Sequence, residues 1–165
     1  METPLLVILS IARFLAGSYF VWTGSSKLGR TRSFWDQIMG YQITGPWQSR
    51  VLAAVFPPLE FVTGLFFAAG LVPFVTGPVL LGMLVVFSIA IIVSLARKTD
   101  NDCGCSSSQT KVSPVLLARN AVLAALVVAG LFSNVPTYEG AIVIVPLGGL
   151  LVLTLAIFNY RALGK

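Results

Sequence analysis

Residues 74–96, FVTGPVLLGMLVVFSIAIIVSLA, carry no charged side chain and run into the basic pair Arg97-Lys98. At about 1.5 Å per residue, a helix of this length crosses the roughly 30 Å hydrocarbon core of a bilayer. In lipid a lone segment satisfies its backbone hydrogen bonds only as a helix, so this run reads as a transmembrane span. Comparable runs lie on either side, at about 4–23, 50–71, 114–132 and 141–160. The expected fold is therefore an all-α, polytopic membrane helix bundle of five spans, forming one domain over residues 1–165. The first run lacks a basic stretch before it and a small-residue cleavage site after it, so it reads as a retained span rather than a leader.

Between the first two spans the chain turns polar, from Gly24 to Arg32, and then carries Phe34, Ile38 and Tyr41 at helical spacing. That pattern predicts a short helix on the membrane surface, ended by Gly45-Pro46. Pro57-Pro58 predicts a kink in the second span, and Val72-Pro73 a tight connection to the third. Ser113-Pro114 has the form of a helix start, with Ser as cap and Pro at the first position. Trp22, Trp35, Trp47 and Tyr41 fall near one boundary, as in an interfacial aromatic belt.

With 56% hydrophobic and 10% charged residues and a mean hydropathy of +0.90, the chain is no ordinary soluble domain. Its net charge of +5 does not point to nucleic acid, because the basic residues are distributed by topology. Lys27, Arg30, Arg32, Arg50, Arg97, Lys98, Lys111, Arg161 and Lys165 share one side of a five-span arrangement. The positive-inside rule then expects an inner-membrane protein with its N-terminus outside and the 97–113 loop toward the cytoplasm. There is no histidine, which removes the usual general base and the commonest metal ligand. Walker, GxGxxG and GxSxG motifs are also missing from the sequence.

The two cysteines of the chain stand one residue apart in that loop, as Asp102-Cys103-Gly104-Cys105. Such a pair can close into a disulfide, exchange with a partner thiol or hold a soft metal ion. Gly104 supplies the backbone freedom that brings sulfurs two residues apart together. A ring that small is strained, and strained disulfides are the labile, oxidising ones.

Three charges fall inside spans. Counted from the expected span starts, Arg13 and Glu60 lie at matching mid-bilayer depth, where an unpaired charge costs about 2.5–3.5 kcal/mol. They are expected to pair, as a polar site for a quinone head-group or a proton relay, or as a purely structural lock on helix register. Arg119, early in the fourth span, either snorkels to the interface or turns toward the sulfurs, where its charge favours a thiolate.

Together these residues resemble the methylamine-utilisation MauE family, within the wider DoxX-like group of small membrane proteins. The resemblance rests on Arg13, Gly24-x-x-Lys27-Leu28, Phe34, Tyr41, Pro57-x-x-Glu60-x-x-x-Gly64, Cys103-Gly104-Cys105 and Arg119-Asn120. It covers about residues 10–130, and departs from the family where Ser106-Ser107 replace the usual Phe-Gly after the cysteines. It implies a four-helix DoxX-like core with an added C-terminal span. It also implies thiol–disulfide chemistry beside a thioredoxin-like protein, as in maturation of a disulfide-rich periplasmic dehydrogenase. That partner acts outside the cytoplasm, whereas the charge pattern expects the cysteines inside.

The leading expectation is thus a membrane thiol–disulfide oxidoreductase using Cys103 and Cys105, with Gly104 and Arg119 in support and a quinone as electron partner near Arg13 and Glu60. The alternatives are a Cu(I)-binding membrane protein and a non-catalytic accessory subunit of a larger membrane complex. Too few ligands are present for a four-coordinate zinc site.

Overall fold

The computed structural model describes residues 2–97, 113–133 and 141–164. Its elements are six helices: α1 (Glu2–Leu28), α2 (Thr31–Gly40), α3 (Pro46–Ala68), α4 (Pro73–Arg97), α5 (Pro114–Leu131) and α6 (Ala141–Ala162). All but α2 contain a stretch long and apolar enough to cross a membrane. The molecule is a polytopic helical membrane protein, as its apolar runs predict.

Local chemistry sets the helix ends. Pro46 opens α3 behind an extended Gly45, and Pro114 opens α5 behind an extended Ser113. Proline suits that position because its missing N–H would have no intrahelical partner there. α3 closes at Gly70, whose φ of +74° is left-handed. The Gly70 N–H reaches the Phe67 carbonyl at 3.0 Å and the Leu71 N–H reaches Phe66 at 2.8 Å, the paired bonds of a Schellman ending. Two boundaries differ from expectation. The 24–28 segment belongs to α1 rather than to a connection, and α3 begins at Pro46 rather than near Arg50.

Successive spans are antiparallel. Gly17 lies against Gly64 and Ala68, while Gly24 lies against Phe61, so numbering falls along α3 as it rises along α1. The same reversal relates α4 to α5, through Gly77 with Leu131 at one end and Ile91 with Leu116 at the other. α1, α3, α4 and α5 meet around Ala16, Phe20, Phe67, Leu80, Leu84, Leu123 and Val127, all buried. Lipid tails are as apolar as these side chains, so helix association depends on close packing and interhelical hydrogen bonds. Glycine makes the α1–α3 approach possible: a Cβ on Gly17 would lie 2.5 Å from the Ala68 nitrogen, and one on Gly64 only 2.7 Å from the Phe20 Cβ. α6 packs outside this core, along α3.

The end of α1, all of α2, the starts of α3 and α5 and the ends of α4 and α6 share one end of the bundle. There α2 does not rest on lipid as expected. Phe34 and Tyr41 are buried, and Phe34 packs with Ala53 of α3 and Leu163 beyond α6. Its apolar face is covered by protein because α1 stops short of α3 at this end, leaving the first turns of α3 for α2 to cover. Tyr41 accordingly leaves the expected aromatic belt, while Trp22 and Trp47 remain exposed.

Candidate functional site

Side chains on a helix lean toward its N-terminus. Lys27, at the end of α1, therefore leans into the bundle, and Glu60, on antiparallel α3, leans toward the α2 end. The two converge. Lys27 Nζ lies 2.6 Å from Glu60 Oε2, with both side chains almost fully buried. Thr23, one turn before Lys27, donates its hydroxyl to Glu60 Oε1 at 2.5 Å. Each carboxylate oxygen thus has its own partner, as a buried charge requires. The Lys27 ammonium also faces two rings, Phe34 at 5.3 Å and Phe87 at 4.8 Å from their centroids, an attraction strengthened where water is excluded.

Beside the pair is a narrow cleft of ≈ 10 Å³, room for about one water. It joins the pair to the first turns of α5. The Arg119 guanidinium lies 5.9 Å from the Tyr19 ring centroid, and its Nη2 donates to Asn120 Oδ1 at 3.5 Å. Asn120 is buried and donates across to Ser88 of α4 at 3.1 Å. Arg119 is therefore turned toward the interior of the bundle instead of snorkelling freely along its surface.

The expected Arg13–Glu60 pair does not form. Arg13 lies fourteen residues before Lys27 on α1, about 21 Å away along the axis. Its Nη1 donates to Ser133 Oγ at 2.8 Å, and its guanidinium packs on Gly70, where an added Cβ would lie 3.0 Å from the central carbon. The glycine contacts set a register that brings Glu60 opposite Thr23 and Lys27, and Arg13 opposite the far end of α3. Counting depth from span starts missed this because α1 and α3 are offset along their axes. The residue overlooked is Lys27, read from sequence as a topological charge in a turn. Its spacing from Gly24, and that of Glu60 from Gly64, was the available signal: each glycine marks a close approach one turn from a charge.

That geometry forms no quinone site at the expected place. Arg13 and Glu60 are apart, both Glu60 oxygens are engaged, and the adjoining cleft is too small for a quinone ring. A larger pocket of ≈ 200 Å³ opens between α2, α3 and α4, with Phe34 and Phe87 in its wall. Its side-chain hydroxyls are those of Tyr41 and Thr44, and Thr44 is engaged by Ser49 at 2.7 Å. The rest of the lining is apolar and suits hydrocarbon.

Cys103, Gly104 and Cys105 lie outside the described residues. What is described is their attachment: the segment carrying them leaves α4 after Arg97 and enters α5 through Ser113, at the end of the bundle that buries Lys27 and Glu60. The family model described as "Methylamine utilisation protein MauE" matches residues 5–133, from α1 to just past α5, leaving α6 outside the match. Neither a curated protein nor a solved structure matches the chain.

Proposed function

The chain belongs to the MauE family, linked by its description to methylamine utilisation, and from that membership we propose that it exchanges thiol and disulfide with a thioredoxin-like partner. The observation that carries this reading is the Cys103-Gly104-Cys105 pair itself, the only cysteines of the chain, joined to two helices that flank a buried polar cluster.

The chemistry needs no further reagent. A partner thiolate attacks one sulfur of the oxidised pair, forming a mixed disulfide and releasing the other cysteine as a thiolate, which takes a proton. The second partner thiol then displaces the remaining bond. The partner leaves as a disulfide and both cysteines end as thiols, with two electrons transferred. By the same steps reversed, a second partner in its disulfide form reoxidises the pair and leaves as a dithiol. Arg119 faces the bundle interior from the second turn of α5, the helix that the segment carrying the cysteines enters, and its positive charge would favour the thiolate released from the pair.

Thiol trapping tests this. The Cys103→Ser variant is expected to accumulate a reducible mixed disulfide through Cys105, the sulfur nearer α5, and the double serine variant to form none and to lose methylamine-dependent growth. Two cysteines that resist alkylation after reduction and form no mixed disulfide would overturn the proposal. Unchanged growth of the double variant would make the chain a non-catalytic accessory subunit.

A further inference from the structure

Outside the four-helix core, α3 and α6 bound a lateral groove of ≈ 250 Å³ walled by Val51, Val55, Leu153 and Ile157 among others. It ends at Tyr160 and Arg161, at the same end of the bundle as α2. Arg50 stacks over this mouth: its guanidinium lies 4.4 Å from the Tyr160 ring centroid, and its Nη2 donates to the Tyr160 carbonyl at 3.1 Å. That bond caps the end of α6, where the helix dipole is negative. It does not account for the whole guanidinium, because the Arg50 Nε is buried with no acceptor.

Among the described residues the charge balance here is one-sided. Arg161 is exposed and makes no side-chain hydrogen bond or ion pair among the described residues. Of the described carboxylates in the helices at this end, Glu60 is committed to Lys27, and Asp36 lies on the exposed face of α2. Among the described residues, neither Arg50 nor Arg161 has a carboxylate partner. Asn159, one residue before Tyr160, does not belong to this corner: it is buried toward α2, where its Oδ1 accepts from Thr31 at 3.2 Å. The corner therefore combines a hydrocarbon-lined groove, two cations and one buried guanidinium N–H without an acceptor.

We propose that this corner binds one anionic phospholipid, with an acyl chain along the α3–α6 groove and the phosphate between Arg50 and Arg161. Guanidinium groups match phosphate oxygens in a forked geometry, and basic sites between spans at the membrane surface select acidic headgroups. A zwitterionic lipid brings its own cation to the same place, which sets it against Arg161. The groove lies on the far side of α3 from the α1 contact, so this site is independent of the cysteine chemistry.

Native mass spectrometry of the full chain, purified from mixed phosphatidylglycerol and phosphatidylcholine vesicles, tests the assignment. The expected result is one retained phosphatidylglycerol, with affinity falling about five-fold in Arg161→Gln. Arg161 bonds nothing described, so this variant tests the headgroup site without removing the α6 cap. Arg50→Lys, which keeps the charge but not the fork, is expected to weaken retention while sparing the fold. Equal retention of the two lipids, or retention unchanged in both variants, would overturn the site.

Discussion

Glu60 shows how little freedom a buried carboxylate has. Its two oxygens take one ammonium and one hydroxyl, both from the last turns of α1, so removing either charge strands the other out of water. Lys27→Met is expected to destabilise the protein by about 3–5 kcal/mol, as is typical when one member of a buried pair is removed. Lys27→Met combined with Glu60→Leu should recover most of that loss, since two apolar groups need no partner. The measurement is the unfolding midpoint in mixed micelles; a double variant no better than the worse single would show that the pair's charges are not coupled. Sequence made the importance of Glu60 legible through its cost in lipid, and Arg119-Asn120 through motif order. It did not make the partner legible. The choice between Arg13 and Lys27 depends on how far α1 slides against α3, and a hydropathy profile says nothing about sliding.

That slide is set at the scale of the element, by Gly17, Gly24 and Gly64 on the facing sides of α1 and α3. A side chain at Gly64 meets Phe20 Cβ at 2.7 Å and the Gly17 carbonyl oxygen at 2.9 Å, contacts that backbone cannot yield without separating the helices. Gly64→Val should cost about 1–3 kcal/mol by overpacking, and, because it shifts the register, should also expose Lys27 to amine-reactive labelling. Gly82 is the control: nothing lies within 4 Å of a Cβ placed there, and Gly82→Ala should be neutral or stabilising by about 0.5–1 kcal/mol. If both variants unfold alike, the close approach is not what holds α1 to α3. The spans themselves were plain from apolar runs, and α2 from Phe34, Ile38 and Tyr41. The last turns of α1 were hidden because Gly24-Ser25-Ser26 reads as a turn in water. Here Ser25 donates back to the Trp22 carbonyl and Ser26 to that of Thr23, each at 2.8 Å. Those bonds leave the hydroxyls no need of solvent and let the helix run on.

Over the whole molecule, the charge distribution bears on which side the α2 end faces, and two residues change the count read from sequence. Lys27 drops out of the basic count because Glu60 neutralises it inside the protein. Arg13 moves to the opposite end, beside the α3–α4 turn and Ser133. What is left is still lopsided: Arg30, Arg32, Arg50, Arg97, Lys98, Lys111, Arg161 and Lys165 follow or flank helix ends on the α2 side, against Arg13 alone on the other. The excess of Lys and Arg near span ends sets orientation, while acids contribute little. The α2 end, and with it the segment carrying Cys103 and Cys105, is therefore predicted to face the cytoplasm. A membrane-impermeant maleimide should label the reduced pair in inverted vesicles and leave it unlabelled in intact cells. The outcome also selects the thiol pool. Under the proposed exchange, labelling from inside would assign the pair to the reduced cytosolic thiol pool, which would keep it mostly as thiols. Labelling from outside would reverse the orientation and place the pair among oxidised proteins, where a disulfide closed over the three residues Cys103-Gly104-Cys105 would act as a donor of disulfides. The proportion of pair that is alkylated before reduction, measured on the labelled side, separates those two states directly.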